Sequence, residues 1–253
     1  MRITVALTPA LLRAPDGHAV GVVDVLRASS SLVTMFERGL LRAIVAGTLR
    51  DARQLALRNF SLLCGEVKSA PVPGFDYGNS PAELAGLSLK GKSAVVFTTN
   101  GTRAVAAAAA APVVAVAALV NRRAAARCLL DEAARRKLDL ALVCAGSERG
   151  TAFSLEDSVA AGAIVEAVRD ADETVAMTDE AWAAYHLWRW YRGDAMRALR
   201  QSAHGRALLG LGFEQDLWFA SQLDVFESVP MLYRDGDTLV LRTRDRRRNA
   251  MPA

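Results

Sequence analysis

Carboxylates that follow apolar, β-branched runs are the side chains of this chain best placed to do chemistry. Asp24 closes Val20-Gly21-Val22-Val23, with Arg27 shortly after it and Ser29-Ser30-Ser31 behind, and Glu66 follows Leu62-Leu63-Cys64-Gly65. A strand-end carboxylate suits a hard cation such as Mg²⁺, which takes oxygen ligands and keeps several waters for exchange. Asp24 equally suits the cap of a helix starting near Leu26, and Glu66 suits a solvated loop. Two further segments share the pattern: Thr98-Thr99-Asn100-Gly101-Thr102-Arg103, which leads into an alanine-rich stretch, and Cys144-Ala145-Gly146-Ser147. In open α/β sheets ligands bind outside the carboxyl ends of the strands. Polar segments gathered at such ends point to an enzyme.

The segments differ in what they can offer. With a helix following, Asn100-Gly101 turns backbone N–H groups and hydroxyls toward the space above the strand end, an anion cradle or simply a well-capped turn. Neither the Gly-x-x-x-x-Gly-Lys phosphate loop nor the Gly-x-Gly-x-x-Gly dinucleotide loop occurs. In Gly74-Phe75-Asp76-Tyr77-Gly78-Asn79-Ser80-Pro81 the glycines allow close backbone approach, and Asn79 is the candidate ligand contact because Ser80-Pro81-Ala82-Glu83 already reads as a helix start. Cys144 and Arg149 are separated by four residues, one fewer than in a thiolate phosphatase loop, so Cys144 reads as packing at a buried strand end. Ser154-Leu155-Glu156-Asp157 serves as a capping box and as a second carboxylate pair, two roles that are compatible. The histidines, His18, His186 and His204, have no partner at metal spacing; His186 reads as core or interface and His204 as a minor candidate.

Positioning these groups requires strands and helices in alternation. Strands are expected at Ile3–Leu7, Val20–Val25, Ala43–Ala46, Leu62–Cys64, Ala94–Phe97, Val113–Ala117 and Leu140–Val143, with helices at Ser30–Arg38, Leu49–Arg58, Arg103–Ala110 and Arg122–Lys137. That order predicts βαβ units and an α/β fold, layered α/β/α with a largely parallel sheet. Beyond Phe153 helices dominate: Leu155–Arg169, Asp179–Tyr191 and two within Gly205–Gln222, before short strands at Val229–Tyr233 and Thr238–Leu241. No Gly/Ser/Pro-rich linker divides the chain, so residues 1–241 are expected to form one compact unit, as a single body or as two α/β lobes sharing a cleft. Residues 242–253, rich in arginine, read as a disordered basic tail.

With 253 residues, 52% of them hydrophobic, the chain can bury a large core. No apolar run approaches the ~20 residues needed to span a bilayer, and Met1-Arg2-Ile3-Thr4-Val5 reads as a strand rather than a leader, so a cytoplasmic protein without membrane contact is expected. Three cysteines without paired spacing give neither a disulfide framework nor a zinc site. A net charge of +4 with no nucleic-acid motif favours a small anionic substrate over a nucleic acid. A homodimer is left open.

Asp24-Val25-Leu26-Arg27-Ala28, Gly65-Glu66, Gly74 to Pro81, Thr98 to Thr102, Cys144-Ala145-Gly146 and Glu156-Asp157, in this order, resemble the 2-phosphosulfolactate phosphatase family. The likeness runs from Val20 to about Pro230 and includes Ser202, Gly205, Leu208, Gly212 and Asp216. It implies a Mg²⁺-dependent phosphatase that converts 2-phospho-3-sulfolactate to sulfolactate and phosphate, a step towards coenzyme M, on an α/β fold distinct from that of the haloacid dehalogenase phosphatases. Ser29-Ser30-Ser31 stands where the family commonly has threonines, and Val67-Lys68-Ser69-Ala70 replaces a more glycine-rich stretch. On this resemblance Asp24, Glu66 and one of Glu156 or Asp157 hold Mg²⁺ directly or through water. Arg27 and Arg103 clamp anionic groups, and Asn79, Thr98, Thr99, Asn100, Gly101 and Thr102 contact the substrate. Asp24 as a nucleophile forming an aspartyl-phosphate is the alternative; a cysteine phosphatase using Cys144 and a non-catalytic anion-binding protein are the rival classes.

Overall fold

Runs of valine, isoleucine and alanine make strands that bury both faces, and the stretches between them make helices that cover those faces. The computed structural model describes residues 1–191 and 194–243. The strands are β1 (Arg2–Ala6), β2 (His18–Val23), β3 (Arg42–Val45), β4 (Leu62–Val67), β5 (Ala70–Pro71), β6 (Ser93–Phe97), β7 (Val113–Ala117), β8 (Asp139–Cys144), β9 (Ala176–Met177), β10 (Pro230–Asp235) and β11 (Thr238–Thr243). The helices are α1 (Ala28–Glu37), α2 (Leu49–Asn59), α3 (Pro81–Ala85), α4 (Gly101–Ala108), α5 (Arg122–Arg136), α6 (Leu155–Ala171), α7 (Asp179–Trp190), α8 (Ala195–Gln201), α9 (Ala203–Gly210) and α10 (Glu214–Ala220).

All the strands join one open sheet in the order β5-β4-β6-β3-β11-β10-β7-β2-β8-β1-β9. It consists of two parallel blocks, β4-β6-β3 and β7-β2-β8-β1-β9, with the antiparallel β10–β11 hairpin between them. Three antiparallel steps, β3–β11, β11–β10 and β10–β7, separate the blocks, so their strands run in opposite directions along the sheet. The ends of β2 and β6 nevertheless meet, since the start of α4 touches Asp24 and Ala28. The sheet must therefore curl between the blocks, and the β10–β7 ladder is correspondingly reduced to one pair, Met231 with Ala115.

Alternation along β2 shows the layering. Ala19 and Val23 enter a core shared with α5 and α6, while Val20 and Val22 enter another with Ala104, Val105 and Ala108 of α4. In the other block Ala43, Ala94 and Val96 face Leu32, Val33 and Phe36 of α1, whereas Ile44, Leu63 and Val95 face Ala52 and Ala56 of α2. Strands buried on both faces are the reason the sequence shows continuous apolar runs rather than strict alternation. The expected α/β class with a largely parallel sheet and flanking helices is what forms.

Differences from expectation are local. Helix α1 begins at Ala28, later than the helix start near Leu26 that a capping Asp24 would mark, and Glu66 lies within β4 rather than after it. Short strands β5 and β9, and α8, had not been anticipated; α8 opens on an aspartate cap, Asp194 accepting a hydrogen bond from Arg197 N–H at 2.8 Å. Arg242, expected to start the tail, instead sits in β11 opposite Met231, with Asp235 3.8 Å from its guanidinium. Residues 244–253 lie outside the described residues. Among the described residues no helix is long and apolar enough to cross a membrane.

Candidate active site

Where β2, β4 and β6 end, a cavity of about 230 Å³ opens, lined by Asp24, Leu26, Arg27, Glu66, Lys68, Ser69, Asn79, Thr98, Thr99, Asn100, Ser147, Glu148 and His204. Asp24 follows directly on β2, and the Leu26–Arg27 peptide in the turn after it is cis. Asp24 Oδ1 accepts a hydrogen bond from Ala28 N–H at 3.2 Å, and Ser29 Oγ accepts from the Asp24 N–H at 2.9 Å. Asp24 thus accepts the first N–H of α1 from outside the cap position, which Arg27 occupies, and uses one oxygen to do so. Oδ2 lies against Gly101, where a Cβ would sit 2.7 Å from it and 2.4 Å from the Cβ of Ala28. Only glycine lets α4 begin this close to the carboxylate.

Burial pushes the Asp24 carboxyl up to about 7, with the Glu66 and Glu156 carboxylates adding to the rise and the Ala28 N–H and Arg27 opposing it. Asp157 is its buried neighbour in charge but differs in bonding. Oδ1 accepts from Val25 N–H at 2.9 Å and Oδ2 from Gly146 N–H at 3.1 Å, so Asp157 ties the chain after β2 to the chain after β8. Burial, then Asp24 and Glu156, push its pKa well above the carboxylate range against those two amides. A hydroxyl at Asp157 would face an N–H on either oxygen, whereas Asp24 Oδ2 has room for a proton. The two carboxyls titrate as a coupled pair, and the raised pKa of Asp24 falls where a cation would compensate the charge.

Arg27 is almost fully buried and anchored three ways. Nη1 donates to Asp216 Oδ2 on α10 at 2.8 Å, Nη2 donates to the Ser69 carbonyl at 2.8 Å, and the guanidinium lies 4.4 Å from the Phe213 ring centroid. Asp216 is itself held by Ser80 Oγ and the Ala82 N–H. A guanidinium has five N–H donors, so this anchoring leaves donors for an anion in the cavity it lines. Glu66 is likewise engaged, Oε1 accepting from Thr99 N–H at 2.6 Å and Oε2 from Ser69 N–H at 2.6 Å and Thr99 Oγ1 at 3.2 Å. It binds the β4–β5 turn to the end of β6 while still facing the cavity. Gly65 permits that approach: its φ is +144°, and a Cβ there would sit 1.8 Å from the Phe97 carbonyl oxygen.

The other sequence-predicted residues divide. Asn79, Thr98, Thr99 and Asn100 line the cavity. Gly101 and Thr102 lie behind it; Thr102 donates its N–H to Thr98 Oγ1 at 3.0 Å and its hydroxyl to the Thr98 carbonyl at 2.8 Å, which closes the turn. Arg103 is exposed on α4 and outside the cavity wall, because the helix turns its third residue outward. Glu156 is buried and outside the wall, coupled electrostatically to Asp24, as is Asp157. Cys144 is fully buried off the cavity, its thiol pushed well above the usual range by burial and then by Asp157, so a thiolate nucleophile has no footing there.

Sequence reasoning gave too little weight to His204 and Lys68, and passed over Ser69 and Glu148. His204 stands in the first turn of α9, behind the buried cap Ser202, whose Oγ accepts from Gly205 N–H at 2.9 Å. Burial lowers its pKa, with Glu156 and Glu66 pulling the other way, so the ring is neutral near pH 7. The Glu148-Arg149 turn is pinned to the cavity by Arg149 N–H donating to Asn100 Oδ1 at 2.9 Å. An anchored arginine, a protonatable buried aspartate, a neutral imidazole and a polar turn at strand ends define a site built for a small anion.

The chain matches the family model described as 2-phosphosulpholactate phosphatase over residues 4–235. It is 37% identical over 228 residues to a protein of Symbiobacterium thermophilum named as a probable 2-phosphosulfolactate phosphatase, covering 89% of this chain and 95% of that one. Proteins with the same name from Pseudothermotoga lettingae and Prochlorococcus marinus are each 34% identical, over 86% and 88% of this chain and 91% of each relative. This chain belongs to the 2-phosphosulpholactate phosphatase family.

Proposed function

We propose that this cavity hydrolyses the phosphate ester of 2-phospho-3-sulfolactate, releasing sulfolactate and phosphate, as one step towards coenzyme M. The observation that carries the reading is Asp24: a buried carboxylate whose Oδ2 accepts no hydrogen bond among the described residues, lining the same cavity as the anchored Arg27. Family membership supplies the substrate. Among the described residues no three carboxylate, imidazole or thiolate groups converge as an all-protein metal cage. Asp24 and Glu66, carboxylates that line the cavity with Arg27, are a donor set that fits Mg²⁺, which is typically held by one or two carboxylates with waters and substrate phosphate oxygens completing its shell. Asp24 would hold it directly and Glu66, which lines the cavity although both its oxygens accept backbone amides, through water; Asp157, outside the cavity wall, would not. When bound, the cation supplies Lewis-acid stabilisation of charge on the phosphoryl group.

The chain's own residues account for the remainder. Arg27, held rigid by Asp216 and Phe213, directs its spare N–H donors at the phosphoryl oxygens, where preorganised donors stabilise developing charge. The Thr98-Thr99-Asn100 turn and Asn79 fix the substrate's orientation. His204, neutral near pH 7, takes a proton from the attacking water and returns one to the leaving hydroxy-acid oxygen as the P–O bond breaks. Water adds and the ester divides into alcohol and phosphate, with no net change in protons on the protein.

The test is phosphate release from a set of phosphorylated 2-hydroxy acids with Mg²⁺ or with EDTA. Turnover of 2-phosphosulfolactate that stops in EDTA and returns with Mg²⁺ is expected. Absence of release from every member of the set would overturn the reading, and full turnover in EDTA would remove the cation from it.

A further inference from the structure

The cavity's cations are unequal. Arg27 is committed to Asp216 and Ser69 and His204 is uncharged near neutrality, which leaves Lys68 as the lining cation with no ion pair among the described residues. Lys68 and Ser69 are the two loop residues of the β4–β5 hairpin, whose strands pair Val67 with Ala70 and Glu66 with Pro71. Both have positive φ, +50° and +67°. Two-residue hairpins of this form ordinarily use Asn-Gly or Asp-Gly, since other side chains are strained there.

The strain is held from the cavity wall itself. Lys68 N–H donates to Thr99 Oγ1 at 3.2 Å, Ser69 N–H to Glu66 Oε2 at 2.6 Å, and the Ser69 carbonyl accepts from Arg27 Nη2 at 2.8 Å. The three side chains that grip the turn, Thr99, Glu66 and Arg27, all line the cavity. A hairpin fastened this way is a fixed ledge, and it presents the exposed Lys68 to the cavity it lines.

Resting on the function proposed above, we infer that Lys68 is a specificity-determining residue, which binds one of the two anionic groups of the substrate that are not phosphate, its carboxylate or its sulfonate. With Arg27 and the strand-end groups serving the phosphate, a substrate carrying a further acid needs a positive partner in the same cavity. Lys68 makes phosphate esters of 2-hydroxy acids preferred over phosphate esters with no other charge.

The test compares wild type with Lys68→Met, which keeps the stem and removes the charge, and with Lys68→Arg. KM for 2-phosphosulfolactate should rise about tenfold in Lys68→Met, recover in Lys68→Arg, and lose part of its dependence on ionic strength. The kcat/KM for isopropyl phosphate, which lacks a second acid, should fall much less. Equal losses on both esters, or none on either, would overturn the inference. Calorimetric binding of 3-sulfolactate reads the same contact without turnover, so the inference is judged even if no ester is hydrolysed: affinity weakened by Lys68→Met supports it, and unchanged affinity overturns it. Lactate and 2-hydroxypropane-1-sulfonate, titrated alongside, show whether carboxylate or sulfonate is the group held.

Discussion

The ends of β2 and β8 lie side by side, Val23 paired with Cys144, and each is followed by a polar segment, yet they do different work. After β2, Asp24 and the anchored Arg27 both line the cavity, and Asp24 Oδ2 accepts no hydrogen bond among the described residues. After β8 only Ser147 and Glu148 reach the cavity: Gly146 N–H is taken by Asp157 and Cys144 is sealed in the core. The comparison teaches that a carboxylate at a strand end belongs to the ligand site when it faces the cavity, as Asp24 and Glu66 do. Asp157, whose two oxygens join the chains after β2 and β8 away from the cavity wall, belongs to the scaffold.

Gly101→Ala should give the largest effect among the substitutions that leave every charged group in place. The added methyl would stand 2.4 Å from Ala28 Cβ and 2.7 Å from Asp24 Oδ2, so either α4 or the carboxylate must move. Displacing a reacting group by about 1 Å costs on the order of 10²-fold in kcat. Steady-state kinetics with a melting curve separate this loss from unfolding, and a rate near that of wild type would show that the approach of α4 to Asp24 does not matter.

A smaller effect is expected in the pH dependence of stability. The Asp24 pKa is raised from 3.8 to about 7, so the native state holds its proton more tightly than the unfolded chain does. The stability this contributes is full below pH 3.8 and is lost as pH rises through about 7. In EDTA, Asp24→Asn should therefore gain on wild type between pH 5 and pH 8, by on the order of 2 kcal/mol, read from denaturant midpoints. A difference between the two proteins that does not vary with pH would contradict the shift.

Cys144→Ser should change least. Its thiol is buried off the cavity and held protonated, so kcat should stay within about threefold while stability falls by about 1 kcal/mol. A folded variant that loses several orders of magnitude in rate would restore the thiol mechanism.

The parts legible in the sequence were those set by local chemistry. Apolar runs marked the seven long strands of the two parallel blocks, strand ends marked Asp24 and the Thr98-Thr99-Asn100 turn, and Asn79 stood out in a glycine-bearing segment ahead of a helix start. Asp157 was visible as a carboxylate, but its partners, Val25 N–H and Gly146 N–H, are joined to it only by folding. His204 arrives from a short helix in the last part of the chain, and although Ser202 and Gly205 beside it share the family resemblance, no spacing ties it to the carboxylates it joins only on folding. The ledge under Lys68 was invisible for the opposite reason: its turn lacks the glycine or asparagine that ordinarily announces positive φ, because tertiary hydrogen bonds from Glu66, Arg27 and Thr99 hold it instead. Helix α8 could have been read from Asp194, an aspartate cap ahead of Ala195.

The most direct measurement sets Asp24→Asn beside Asp157→Asn and records kcat and melting temperature for both. The account predicts opposite outcomes. Asp24→Asn keeps the fold, at or above wild-type stability, and loses about 10²-fold or more in kcat, equivalent to ~2.7 kcal/mol in the barrier. Asp157→Asn turns an amide NH₂ toward a backbone N–H that had an acceptor, costs about 1–3 kcal/mol in stability, and retains most of its turnover while folded. The reverse pattern, an Asp24 variant that turns over normally and a stable Asp157 variant that does not, would contradict the assignment of the site.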